Sequence, residues 1–315
     1  MAAKPNPNTW CLPQHHSPSG PTDPSQIHLP SPFRVTILGA SRGIGSGIAL
    51  SYAKAGASTL LLASRDPTTL DALAARVHEV ATHPNCTVVT QMCDVTVEAD
   101  LTALAETAKR IGDGAVDVVA FNAGLSSKMV RRENGLLDFP FGLVEAGVDD
   151  FRRMMEINVL AAWNAAVHFV PLLEAAGLEK RVAPSPQAFV LVSSAAAHYV
   201  DAGIMAAGYS LSKFAATRLV EHVSEGHARA GVLAYAIQPG GVKTDMSVTV
   251  PEGKGWEERL IDDVELCGAW CVWLPSERRE WLSGRYVDAR WDTEELLKRR
   301  RTVEEEDLLK FRLAM

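Results

Sequence analysis

Cysteine is scarce in this chain. There are five in 315 residues, an odd number without regular spacing, which excludes a disulfide framework. Cys267 and Cys271 stand four positions apart in "CGAWC", but no second pair and no nearby histidine completes a zinc set, so both read as helix-core residues. Long apolar runs are missing too. None reaches the roughly 20 residues that span a bilayer, and the N-terminus lacks the apolar core of a secretory signal. Lys and Arg number 31 against 38 Asp and Glu, and the net charge of −7 argues against the clustered basic surface of a nucleic-acid binder. These absences lead us to expect a cytoplasmic protein in a reducing setting, with neither nucleic acid nor membrane as partner.

What remains is an ordinary globular composition, 47% apolar and 22% charged, with length enough for a large core. Residues 1–32 stand apart. They are dense in Pro, Ser and His without apolar period and read as a flexible or extended tail, with His15 and His16 a solvated pair rather than metal ligands. From Phe33 strands and helices alternate. "FRVTILGA", "STLLLAS", "CTVVTQMCDV", "AVDVVAFNAG", "QAFVLVSS" and "VLAYAIQPG" read as strands. Helical spacing lies between them, including a long helix from about Val148 to Leu173 and one opened by Asp66 as N-cap with Pro67 behind it. Such alternation predicts an α/β fold, a doubly wound parallel sheet with helices on both faces. A single catalytic domain over 33–292 is expected, without internal repeat. A charged helical tail over 293–315 follows, with Glu294–Lys298 and Glu295–Arg299 pairs on a solvated face.

"GASRGIG", Gly39 to Gly45, lies where the first strand hands over to the first helix. Glycines there let the chain turn tightly and bring phosphates to the backbone, and the helix start supplies free N–H groups and the positive end of a dipole. The context of strand, glycine turn and helix favours dinucleotide binding. About 20 residues further on, at the end of the second strand, an acidic side chain would hold a ribose 2′-hydroxyl and an arginine a 2′-phosphate. Ser64 and Arg65 occupy that place, Asp66 reads as the helix cap, and Arg42 in the glycine turn adds a second cation. The cofactor expected is therefore NADP(H). A further pair stands in "YSLSK". On a helix, Tyr209 and Lys213 share a face one turn apart, and the ammonium would draw the phenol down from its usual pKa of about 10.

These motifs, with "CDV" at 93–95, "FNAG" at 121–124, "INV" around Asn158, "VSS" at 192–194 and "QPGGVKT" at 238–244, stand in a familiar order. The sequence resembles the short-chain dehydrogenase/reductase family from about Phe33 to Trp291. The resemblance implies a Rossmann-like sheet, a nicotinamide cofactor, and interconversion of a carbonyl and an alcohol. It implies that Tyr209 is the general acid, that Lys213 lowers its pKa and bonds the nicotinamide ribose, and that Ser194 holds the substrate oxygen. Asn158 would relay protons to Lys213 through a water. The cofactor contacts implied are Gly39, Ser41, Arg42, Gly43, Ile44, Gly45, Ser64, Arg65, Asp94, Val95, Asn122, Ala123, Gly124, Asn158, Tyr209, Lys213, Pro239, Gly240, Val242 and Thr244.

Three departures from the pattern stand out. Leu38 replaces the usual threonine before the glycine turn. The gap from Ser194 to Tyr209 is wider, which leaves Ser193 as a rival serine and suggests a longer loop, "AAAHYVDAGIMAAG", beside the substrate. Tyr199 in that loop has Gly203, not lysine, four residues on. Residues 126–139 look like an insertion, a substrate wall or an oligomer contact.

Residues 242–256 read as a mobile lid whose Met246, Val248, Val250 and Trp256 suggest a largely apolar pocket, with Trp163 and His198 as further candidates for its wall. No arginine cluster marks a phosphorylated or coenzyme-A substrate. "WLSGRYVDARWDTEELL" looks like filamentous-fungal members of the family, many of which act in secondary metabolism. The expected activity is hydride transfer between NADP(H) and a small-molecule carbonyl or secondary alcohol, in a homo-oligomer (dimer or tetramer). The alternatives are a redox sensor or scaffold that binds dinucleotide without turnover, and a dehydratase or isomerase on the same scaffold.

Overall fold

A computed structural model describes residues 12–140, 142–198, 200–201, 205–247, 255 and 258–313. Its centre is a seven-stranded parallel sheet. In chain order the strands and helices begin β1 (Arg34–Leu38), α1 (Gly43–Lys54), β2 (Thr59–Ser64), α2 (Pro67–Val80), β3 (Thr87–Met92), α3 (Glu98–Ile111) and β4 (Val118–Phe121). A short hairpin follows, β5 (Val130–Arg131) and β6 (Leu137–Asp138), then α4 (Gly142–Met155) and α5 (Ala161–Gly177). The rest comprises β7 (Ala188–Val192), α6 (Ala207–His227), β8 (Leu233–Gln238), α7 (Leu266–Ser276), β9 (Arg285–Asp288), α8 (Thr293–Lys298) and α9 (Arg300–Glu305).

Spatial order in the sheet is β3-β2-β1-β4-β7-β8-β9, so the winding reverses between β1 and β4 and opens a crevice at their C-terminal ends. All five residues of β1 and of β7 are buried, as apolar strands covered on both faces should be. Val35 pairs with Leu60 on one side and Val118 on the other. One face carries α1 and α7, whose Trp270 and Trp273 are buried, and Cys267 and Cys271 lie in the same core as free thiols. The other face carries α3, α5 and α6.

The expected single helix is longer and interrupted. Gly147 is non-helical, with φ of 71°, and between α4 and α5 lies a π-helical stretch, Glu156–Leu160. The run Gly142–Gly177, 36 residues, is long and apolar enough to cross a membrane by length and composition. Half of its most apolar stretch is buried against the protein, which is the pattern of a core helix. Residues 126–139 form the β5/β6 hairpin, closed by the Arg132 amide donating to the Leu136 carbonyl at 2.8 Å.

Both termini differ from expectation. Residues 12–32 are not a free tail: Leu12, Thr22 and Pro24 are buried, Gln14 pairs with Trp291, and the His15 amide donates to the Arg290 carbonyl at 2.7 Å. His15 and His16 bond Asp292 and Asp262, with both rings still partly exposed. A few apolar side chains and backbone bonds to a distant edge suffice to dock a polar segment, and composition does not register such partners. The C-terminal tail is likewise integral, with Leu296 and Val303 fully buried. Lys298 pairs with Glu295 at 2.6 Å, an i,i+3 contact, instead of the expected Glu294. Further on, Phe311 packs on Phe214 with ring centres 4.5 Å apart.

At the opposite end of the sheet from the crevice, Asp117 is fully buried between Arg34, at 2.9 Å, and Arg181, at 2.7 Å. Burial pushes its carboxyl up and Arg34 pulls it back, so the cluster is not held by net attraction alone. Removing one member is different, because it strands the others. Asp117→Ala is expected to cost about 3 kcal/mol, measured as a lower denaturant midpoint. An unchanged midpoint would show that Glu179, which also meets both arginines, suffices.

Candidate active site

The glycine turn closes on the strand beside it. Gly39 has φ of +82°, and a Cβ there would lie 2.7 Å from the Ala123 nitrogen, while a Cβ on Gly45 would lie 2.0 Å from the Gly39 carbonyl oxygen. Only glycine fits either place. Asn122 Nδ2 donates to that same carbonyl at 2.8 Å, and the Asn122 and Ala123 amides donate to the Leu38 carbonyl at 2.9 and 3.0 Å. The leucine that departs from the family pattern thus holds the second segment through its backbone, with its side chain in the core. At the start of α1, Arg42 is the N-cap without a side-chain cap bond, which leaves first-turn amides open toward the crevice beside Ser41 and Ile44. The turn has the cradle and the uncapped donors that a pyrophosphate needs, so these residues fit a dinucleotide.

At the end of β2, Ser64 is buried and Arg65 is exposed. Asp66 is the expected cap, accepting the Thr68 amide at 3.0 Å. Asp94, after β3, accepts the Thr96 amide at 3.0 Å and hydroxyl at 2.8 Å, which with the charge of Arg65 holds its carboxyl below the usual range; Val95 beside it is buried. Arg42 reaches across to Asp245 at 3.0 Å, both side chains well exposed. The loop after β8 therefore meets the glycine turn, and a Cβ on Gly43 would lie 2.9 Å from Thr244 Cγ2. Pro239 and Val242 in that loop are buried, and Gly240 has φ of +91°.

Across the crevice the motif residues converge. Tyr209 and Lys213 lie on α6, both buried, with Lys213 Nζ 5.9 Å from the tyrosine ring centre and donating to the Val192 carbonyl at 3.0 Å. Ser194 lies beside the Tyr209 phenol and accepts the Ala196 amide at 3.1 Å. Ser193 turns the other way, its hydroxyl 2.5 Å from Thr217 Oγ1. Asn158 sits in the π-helical stretch, where the Ala161 amide reaches back to the Glu156 carbonyl. Its side chain accepts the Leu125 amide at 2.9 Å and donates to the Leu125 carbonyl at 3.0 Å and to Ser212 Oγ at 2.9 Å. Gly124 lies between Asn158 and Lys213, since a Cβ there would be 3.2 Å from Asn158 Oδ1 and 3.4 Å from Lys213 Nζ.

Burial governs the electrostatics. It pushes the Tyr209 phenol up, with Ser194 pulling the other way, and it brings the Lys213 ammonium down to about 8. The Tyr–Lys spacing led us to expect a lowered phenol, whereas burial, the largest cause, pushes it up. A phenol kept protonated is suited to giving a proton rather than taking one.

Several contributors escaped the sequence reading. Ser212 ties Asn158 to the Tyr209 carbonyl, which its hydroxyl meets at 2.8 Å. Met154, Ala196, Leu125 and Met205 pack around Tyr209 as an apolar wall. Gly208, inside "AGYSLSK", is the trace that was available, because a Cβ there would lie 2.5 Å from Met154 Cε. Asp150 takes the Ser127 hydroxyl and the Lys128 amide, fixing the segment after Gly124. The two side chains expected in the substrate wall go elsewhere. Trp163 is 56% exposed on α5, and the His198 ring packs against Tyr286 and Phe311, with centres 4.1 and 5.0 Å away. Of the expected lid, Met246 is exposed; Val248, Val250 and Trp256 lie outside the described residues, as do Tyr199 and Gly203.

Residues 34–255 match the family model described as short chain dehydrogenase. The chain belongs to the short-chain dehydrogenase family. It is similar to the short chain dehydrogenase pgmD of Aspergillus terreus, 32% identical over 304 residues, covering 96% of this chain and 93% of that one. The short chain dehydrogenase mpl6 of Monascus purpureus is 33% identical over 286 residues, 89% and 88% of the two chains. Among solved structures, a 7α-hydroxysteroid dehydrogenase complexed with NADH and 7-oxo glycochenodeoxycholic acid superposes with a TM-score of 0.68. At 22% identity, covering 86% of this chain and 96% of the other, that match speaks for the Rossmann-like fold alone. This short-chain dehydrogenase is accordingly an oxidoreductase of a family that uses nicotinamide cofactors and small-molecule substrates.

Proposed function

We propose that this dehydrogenase transfers hydride between NADP(H) and a carbonyl or secondary alcohol of a small, largely apolar substrate, with Tyr209 as general acid or base. The observation that carries the reading is the buried Tyr209, with Lys213 Nζ 5.9 Å from its ring centre and Ser194 beside its phenol, inside an apolar wall of Leu125, Met154 and Ala196. The bound dinucleotide supplies or accepts the hydride. Ser194 holds the substrate oxygen, and Tyr209 delivers its proton where alkoxide charge develops. Lys213 keeps a positive charge under the phenol and bonds the ribose. Asn158 shapes the turn at Gly124 and, through a water, passes protons to Lys213. The sequence neighbours from filamentous fungi support a place in secondary metabolism. An assembly of two or four copies is supported by Trp163, Val167, Leu211 and Phe214, exposed on α5 and α6, and light scattering of the purified chain tests it.

The preference for NADP(H) rests on Arg65, since Asp66, the carboxylate next to it in the chain, is occupied in capping α2. The solved 7α-hydroxysteroid dehydrogenase holds NADH, so the choice is open to direct measurement. A bond between full charges contributes about 1.5–3 kcal/mol, so Arg65→Asp is expected to shift preference toward NAD(H) by about tenfold or more. Equal affinity of the wild-type chain for both dinucleotides would refute the assignment. A panel of ketones with NADPH and alcohols with NADP⁺, followed by nicotinamide absorbance, tests the activity itself. Stoichiometric consumption of the cofactor is the expected result, and product formed without it would point to a dehydratase or isomerase.

A further inference from the structure

The loop from Pro239 to Thr244 runs along the crevice between its two functional ends. At its start Gln238 Oε1 accepts the Ala195 amide at 3.0 Å, next to Ser194. At its far end Thr244 packs against Gly43 of the glycine turn. The middle of the loop therefore lies between the reacting oxygen and the phosphate cradle, where the nicotinamide half of a dinucleotide must extend.

That middle is held by one carboxylate. Asp262 Oδ2 accepts the Gly241 amide at 2.5 Å, and Oδ1 meets His16 Nδ1 at 2.5 Å. The backbone doubles both links: the Asp262 amide donates to the Gly241 carbonyl at 3.0 Å, and the Asp263 amide to the His16 carbonyl at 2.7 Å. No slack remains, because a Cβ on Gly240 would lie 2.5 Å from Asp262 Oδ2 and one on Gly241 1.8 Å from the Arg259 carbonyl oxygen. The Asp262 side chain is 1% exposed and that of His16 is 50% exposed. The neighbouring charges Asp288 and Arg290 are paired with each other at 2.6 Å.

We infer that Asp262 is a positioning residue for the nicotinamide half of the cofactor cleft, and that His16, from the segment ahead of the first strand, holds it in place. The inference rests on the dehydrogenase reading above. Asp262 touches neither cofactor nor substrate; it fixes the Gly241 amide and so the path of the loop. A rigid loop needs no ordering when the dinucleotide arrives, whereas a loosened one must be ordered at the expense of affinity.

The test compares NADPH with 2′,5′-ADP, which carries the adenosine half without nicotinamide, by titration against the full chain. Asp262→Leu keeps the side-chain size but removes the acceptor of the Gly241 amide and the partner of His16. It is expected to raise the Kd for NADPH about tenfold and leave that for 2′,5′-ADP within about twofold. His16→Ala should give the same pattern at about threefold, and His16→Gln, which retains a donor, should restore wild-type binding. Equal weakening of both ligands, or an unchanged NADPH affinity in the folded variant, overturns the inference. Should Asp262→Leu fail to fold, the half-exposed His16 pair decides by the same criteria. A wild-type chain that prefers NADH overturns only the cofactor preference, and the comparison is then made with NADH and ADP. One that binds no dinucleotide overturns the functional reading and this inference together.

Discussion

Tyr209→Phe is expected to lower turnover by about a thousandfold while leaving dinucleotide affinity nearly unchanged, because a positioned proton donor contributes about 10²–10⁴ in rate. The ring is buried in the Leu125, Met154 and Ala196 wall, and phenylalanine keeps that packing. What disappears is the hydroxyl that lies beside Ser194 and would protonate the substrate oxygen. Turnover near the wild-type level would remove Tyr209 from the acid role. Lys213→Met should damage turnover and cofactor affinity together, since one ammonium serves both. Burial brings that ammonium down to about 8, so it is charged below that pH and neutral above it. Turnover of the wild-type enzyme with a ketone should accordingly fall as pH rises past about 8. A profile flat to pH 10, well past that value, would detach Lys213 from the reaction.

The second large effect separates two adjacent serines. Ser194→Ala should cost about a hundredfold or more in turnover, the scale for losing one hydrogen-bond donor to a developing oxyanion. Ser193→Ala should cost little in turnover and about 1 kcal/mol in stability, because it leaves Thr217 Oγ1 without the partner it has at 2.5 Å. Rate measurements and denaturant midpoints on the two variants read these outcomes separately. The reverse order of damage would transfer the role to Ser193.

The architecture was legible in the sequence because strand and helix periods are local. β1 through β4 and their helices carry apolar residues at the spacing each element needs, and their alternation leaves few topologies. The glycine turn was legible for a similar reason: a Gly between strand and helix signals close backbone approach, and Gly39 and Gly45 have no room for a Cβ. Tyr209 and Lys213 were placed on one face by helical spacing alone. The interruption at Glu156–Leu160 left no such trace, since a π-helical turn shifts the hydrogen-bond ladder by one residue without demanding a particular side chain.

Tertiary structure decided what depends on partners far along the chain. Alternation along a strand says that Ser193 and Ser194 point apart, but only the packing of α6 turns one toward Tyr209 and the other toward Thr217. Spacing put a cation one turn from the phenol; burial, a property of the assembled core, pushed the phenol up. The segment over 12–32 and the residues after 293 have the composition of tails, yet both are docked, through Gln14–Trp291 and His16–Asp262 at one end and buried Leu296 and Val303 at the other. Composition and period describe what a segment can do alone, whereas docking and desolvation are set by surfaces that exist only once the rest of the chain has folded.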